Sequence, residues 1–171
     1  MTKAIWAAIV VMLVSAAVAV ATPPQARAGN AANEQVLFEL INAARAQHGL
    51  ARLALQPSLA GAARAHSLDM LRHSYFAHSS ASGASYSTRL ARAGYRRSGF
   101  GSWAVSEVIG WGRGTRGTPQ AVLRGWLASP WHRPIILGAR WRDVGIGCAR
   151  GTYQGRTGVL MYTVDVGRRT R

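Results

Sequence analysis

A chain of 171 residues and 18.3 kDa is the size of one domain, and its 49% apolar residues with six tryptophans exclude a disordered basic tail. With 21 Lys plus Arg against 6 Asp plus Glu the formal charge is +15, and every cation but Lys3 is arginine. Cys148 stands alone, which excludes an internal disulfide, an iron–sulfur cluster and a Cys-rich zinc site.

The N-terminus reads as an address. Met1-Thr2-Lys3 supplies a short positive start, residues 4–21 carry no charge, and Pro23-Pro24 follow. Ala26-Arg27-Ala28 is a small-x-small triplet suited to a signal peptidase, so residues 1–28 are expected to be a cleaved signal peptide. The alternative is an uncleaved anchor through residues 4–21, at the lower edge of spanning length. Either places residues 29–171 outside the cytoplasm: secreted, periplasmic or in the cell envelope. Removing residues 1–28 takes away Lys3 and Arg27 and lowers the charge from +15 to +13. An exported domain of that charge is drawn to anionic cell-wall polymer, lipid or a membrane surface. Nucleic acid is not expected, because the arginines fall singly or in pairs and no recognition motif is present. A monomer is expected.

A first helix is predicted over about Asn33–Gln47 from the period of Val36, Leu37, Leu40, Ile41 and Ala44, with Glu34 and Glu39 on its polar face. Leu53 and Leu55 alternate in a short extended piece. Pro57 opens a second helix to about Arg72, with Leu59, Ala62, Ala63, His66 and Met70 on one stripe. Residues 73–85 are small and polar, a loop, before a short helix over about Tyr86–Ala93. Periodicity leaves WAVSEVIGW, within 99–117, open between strand and helix. Thr118-Pro119 starts a fourth helix that stops before Pro130. Alternation at Val144, Ile146 and Cys148, and again from Val159 to Thr163, predicts a hairpin. Helices first and an antiparallel sheet last make an α+β domain.

Only five histidines and six acids can carry chemistry. Glu107 is the one acid between Asp69 and Asp143, and it lies among Val105, Val108 and Ile109, where a carboxylate is costly unless paired. His78, 29 residues before it, and His132, 25 after it, are the natural partners. Together the three are candidates for a metal centre with a position left for water, or for a metal-free acid–base cluster. His66, Asp69 and His73 share one side of the second helix, but imidazoles seven residues apart sit about 10 Å from each other, too far to share an ion. His66 reads as a core or interface histidine, and His48, near a helix C-terminus, as a dipole partner or a surface residue. Ser106 and Ser129 are the nearest nucleophile candidates and read better as loop or capping serines. Cys148, in an apolar strand, reads as a buried thiol. Trp103, Trp111, Trp126, Trp131 and Trp141 read as core first and as groove walls second.

In order along the chain stand LFELINAARAQHGLARLAL, LAGAARAHSLDMLRHSYFAHSS, TRLARAGY, SEVIGWG, VLRGWLASPWHRPIIL and DVGIGCA. With these pieces the sequence resembles the bacterial CAP superfamily (SCP-like, or cysteine-rich secretory, antigen 5 and pathogenesis-related 1 proteins) over about residues 34–166. The resemblance implies a three-layer α-β-α sandwich with a central antiparallel sheet. It also implies a cleft of histidines and glutamates that in several members holds a divalent cation, zinc foremost. His78 and His132 match the two histidines and Glu107 the glutamate of the Glu-Asn-Ile/Leu segment. Val108 replaces its asparagine, Trp131 replaces the glycine before the second histidine, and Ser129 stands nearest the absent second glutamate. Two functions follow as expectations. One is a binding module for lipid, sterol or cell-wall polymer. The other is a peptidase or wall-active hydrolase in which Glu107, with His78 and His132, activates water directly or on a metal.

Overall fold

The computed structural model describes residues 24–171, with side chains from Gly29 onward. The expected leader, apart from its last few positions, lies outside the described residues. In chain order come α1 (Pro24–Gln47), β1 (Ala54–Leu55), α2 (Pro57–Arg72), α3 (Tyr86–Arg92), β2 (Ser102–Arg113), a 3-10 turn (Gly114–Gly117), α4 (Pro119–Ala128), α5 (Arg133–Ile136), β3 (Asp143–Tyr153) and β4 (Arg156–Thr170). The sheet order is β1-β3-β4-β2. β2, β3 and β4 pair antiparallel, whereas two-residue β1 lies parallel to β3. The sheet is therefore mixed at one edge rather than wholly antiparallel.

Both faces of the sheet are covered. On one side α1 and α4 bury Leu37, Ile41, Val122 and Trp126 against Val108, Ile146, Tyr162 and Val164. On the other, α2 and α3 bury Leu59, Met70 and Leu90 against Tyr95, Ile109 and Met161. The result is three layers. β2 escapes a clean periodicity because its centre, Glu107 to Ile109, is buried between two layers, with no wet face there to impose alternation.

Local chemistry sets the element ends. Pro57 and Pro119 occupy the first turns of α2 and α4, and Ser85 and Thr118 cap α3 and α4 by accepting from the Thr88 and Ala121 amides at 3.2 and 3.3 Å. α1 opens at Pro24, well upstream of the expected Asn33. Short α5, which has no apolar period, begins around Pro134. The β3–β4 turn is tighter than the Gly151–Gly158 stretch suggests. Gln154 and Gly155 alone, with φ of 48° and 74°, make the two-residue reversal that matches strand twist.

Two polar residues of α1 are backbone clamps. Asn42 accepts from the Leu53 amide at 2.8 Å and donates to the Leu53 carbonyl at 3.4 Å, fixing the extended piece against the helix. Buried Arg45 donates to the carbonyls of Ala51, Ile136 and Gly138, tying the end of α1 to α5. Glu34 corrects the expected polar face: it is 7% exposed, accepts from Arg64 of α2 through both oxygens, and accepts from the Cys148 amide at 2.9 Å. α2 lies almost on the backbone of β3. A Cβ on Gly145 would strike Leu59 and Ala60, and one on Gly147 would strike Ala63 and Arg64.

Candidate functional site

The middle of β2 and the loop between α2 and α3 build the site. Glu107 points from β2 toward the α2 face with its side chain fully enclosed. His78, held on the polar loop, meets it: Nδ1 lies 2.7 Å from Glu107 Oε1, while half of the imidazole stays exposed. Arg89 of α3 donates to the other oxygen, Oε2, and also to the His78 carbonyl at 2.7 Å. One arginine thus fixes both the carboxylate and the loop that carries the histidine.

Directly across the sheet, Glu107 pairs with Asp165 of β4, which is 1% exposed. Two carboxylates facing each other in a buried register are unfavourable unless one is neutral. Burial, and then the charge of Glu107, push the Asp165 carboxyl well above the usual carboxylate range. Asp165 is therefore the member of the pair whose affinity for a proton burial raises. Neither Arg89 nor Asp165 stands out from the sequence as a site residue. A signal for Asp165 was present, an acid between Val164 and Val166 in an apolar run like the one around Glu107, whereas nothing distinguishes Arg89 among the many arginines.

His132 approaches from the other side, at the start of α5. Its Nδ1 lies 2.8 Å from the Ser129 hydroxyl at the end of α4. Burial, and then the charge of His78, lower its pKa, so the ring is neutral near pH 7. The two histidines are thus within electrostatic reach, but His132 has no hydrogen bond to Glu107. The described residues assemble no three-ligand metal centre here. Both Glu107 oxygens are occupied, one of them by a guanidinium. Among the described residues no three His, Cys, Asp or Glu side chains gather closely enough to share an ion.

The rival group on α2 is an internal network. Asp69 accepts from the Tyr75 hydroxyl, from the Ala81 amide at 3.1 Å and from His73 at 2.8 Å. Burial pushes its pKa up, but these donors outweigh burial and leave it low. His66 is 1% exposed, bonds the Ala77 carbonyl at 3.0 Å, and is held neutral mainly by burial. This network props up the loop that carries His78. Cys148 is buried, and burial pushes its thiol up to about 12.

Beside His132 runs a groove. A hollow of about 290 Å³ is lined by Trp111, Arg116, Gly125, Trp126, Ser129 and His132. Past Trp111 and Arg116 it opens into a wider depression of about 760 Å³ that reaches Arg113 and Arg156. Of the five tryptophans among the described residues, Trp126 and Trp141 are core, Trp103 is half-buried, and Trp111 and Trp131 are exposed, Trp131 to 82%.

A three-layer α-β-α sandwich with a polar cleft between its histidine loop and its central strands defines the class of SCP-like domains. The chain belongs to the CAP, cysteine-rich secretory protein, family, whose profile matches residues 38–165. An extracellular protein of Bacillus anthracis containing an SCP domain superposes with a TM-score of 0.71 at 30% identity, over 86% of this chain and 44% of that one. An outer surface protein of Borrelia burgdorferi shares the fold, with a TM-score of 0.67 at 18% identity over 81% and 94% of the two chains. In sequence the chain is 32% identical over 126 residues to YkwD and 31% over 123 residues to YlbC, described as a membrane protein, both of Bacillus subtilis strain 168. These matches cover 74% and 71% of this chain but only 46% and 33% of the relatives, so the chain spans under half of their length. Among the described residues no helix is long and apolar enough to cross a membrane.

Proposed function

We propose that the domain is a non-enzymatic, extracellular binding module whose groove takes a cell-wall saccharide polymer. The observation that carries this reading is the exposed indole of Trp111, which lines both hollows of the groove beside His132, with a second exposed indole, Trp131, next to His132 in the chain. An indole left in water forgoes roughly 1.5–3 kcal/mol of burial, and such a ring marks a contact surface. The flat ring stacks on the C–H face of a sugar while neutral His132, Ser129 and Arg116 supply hydrogen bonds. Extracellular placement is supported by the leader-like N-terminus and by the related protein described as extracellular. Titration of purified wall glycan tests it. Trp111→Ala and Trp131→Ala are each expected to weaken binding tenfold or more, and unchanged affinity in both overturns the reading.

A hydrolytic reading draws on the 2.8 Å contact between Ser129 and His132. Against it, no carboxylate hydrogen-bonds His132 among the described residues, and both oxygens of Glu107 are already taken. Release of reducing ends from wall glycan by the wild type, abolished by Ser129→Ala or Glu107→Gln, would favour hydrolysis.

A further inference from the structure

Arginine pairs far apart in the chain meet at one end of the sheet, where β2 and β3 begin and β4 ends. Arg168, Arg169 and Arg171 close β4, and Arg142 precedes β3 with its amide on the Gly167 carbonyl at 3.0 Å. The loop carrying Arg96 and Arg97 is bonded to the same spot through the Gly101 amide and the Thr170 carbonyl at 2.9 Å. Of these, Arg96, Arg97, Arg142, Arg168 and Arg171 are exposed and Arg169 is half-buried. Arg169 is fixed between two rings, its guanidinium carbon 4.2 Å from the Tyr95 centroid and 4.6 Å from that of Phe100. Stacking of this kind holds a guanidinium in place and lowers the entropy lost when it binds. The one acid nearby, Asp143, is engaged by the Tyr95 hydroxyl at 2.7 Å. Five exposed cations and one clamped one therefore share this pole with a single, occupied carboxylate.

The pole has a direction. α1 ends beside it, where Arg45 bonds the Gly138 carbonyl and the Ala54 amide bonds the Arg142 carbonyl. The chain enters α1 at Pro24, about 36 Å away for 24 helical residues. A domain tethered through its N-terminus would turn this pole away from its own membrane. Of the exposed apolar side chains only Leu55, on β1 opposite Val144, borders this pole, and one aliphatic side chain is not the apolar face that entry into a bilayer needs.

We infer that this arginine pole is a second binding site, for an extracellular polymer with a phosphodiester backbone. Guanidinium forks match phosphate oxygens two at a time, and a phosphodiester keeps its charge at every physiological pH. The inference rests on the reading of the domain as an extracellular binder but uses none of the groove. β2 separates the two, since Ser102 lies at the pole and Trp111 at the groove.

The test compares three forms of the protein with the wild type on synthetic poly(glycerol phosphate). The first is Arg96→Gln/Arg97→Gln/Arg168→Gln/Arg171→Gln. The second is a charge-matched control, Arg72→Gln/Arg124→Gln/Arg133→Gln/Arg150→Gln. The third is the groove variant Trp111→Ala. The pole variant is expected to bind at least tenfold more weakly, with a salt dependence shallower by roughly 0.7 log units for each phosphate that is no longer neutralised. The other two are expected to bind as the wild type does. Equal losses in the pole and control variants would mean that net charge alone attracts the polymer, and would overturn the site. Wild-type binding to a polyuronate as tight as to the phosphate polymer would overturn the phosphate assignment. Binding to anionic phospholipid vesicles as tight as to the polymer, and lost in the pole variant, would replace the polymer by a membrane. A loss confined to the groove variant on wall glycan would leave the pole standing, and the reverse would leave the groove standing.

Discussion

Asp165 shows what a single buried carboxyl does to the whole stability curve. Its pKa is raised in the folded state, so the folded protein holds a proton that the unfolded chain releases. Its contribution is present below the ordinary aspartate range near pH 4 and is lost as pH rises toward the folded value. His66 and His132 act in the opposite sense: both are depressed when folded, so stability is lost as pH falls below about 6.5. An Asp165→Asn variant isolates the first effect, because the amide keeps the shape and cannot titrate. Urea midpoints at pH 4, 5.5 and 7 are expected to show the wild type losing ground to the variant at each step upward. A constant gap would mean that Asp165 is not the proton holder. Cys148 offers a second residue-scale test. Buried, and pushed up to about 12, its thiol is expected to ignore an aromatic disulfide reagent at pH 8 in the native protein and to react at once in urea.

At the scale of elements, the tightest contact is α2 on β3. Gly145 and Gly147 allow the helix backbone to reach the strand, and Ser67 completes the seam by donating to the Gly147 carbonyl at 3.0 Å. Gly147→Ala inserts a methyl against the backbone of Ala63 and Arg64, which cannot swing aside. The expected cost is about 2–3 kcal/mol, read as a lower urea midpoint with an unchanged slope. The bounds of α2 were legible because Pro57 and a steady apolar stripe mark them. β2 was not, since a strand covered on both faces loses the alternation that identifies strands. Glu34 misled for a related reason. A helix face looks polar until another helix, here through Arg64, lies on it.

For the whole molecule, the layered α-β-α plan follows from motifs in order, and His78 with Glu107 follows from the scarcity of acids and imidazoles. Arg89 was hidden because no local pattern separates a half-buried arginine from its exposed siblings. The arginine pole was hidden for a topological reason. Residues 96–97, 142 and 168–171 are unremarkable pairs and singles until β3 and β4 reverse the chain and bring them together. Spacing along a chain does not report such meetings, but strand pairing does. One last consequence concerns association with copies of itself. β1 shields only the first two residues of β3, and the next stretch of that border would otherwise invite a neighbour's strand to extend the sheet. Glu34 occupies the Cys148 amide there, with Arg64 clasped over it. A second molecule can add to this rim only by displacing an ion pair, so this edge of the sheet carries its own guard against edgewise aggregation.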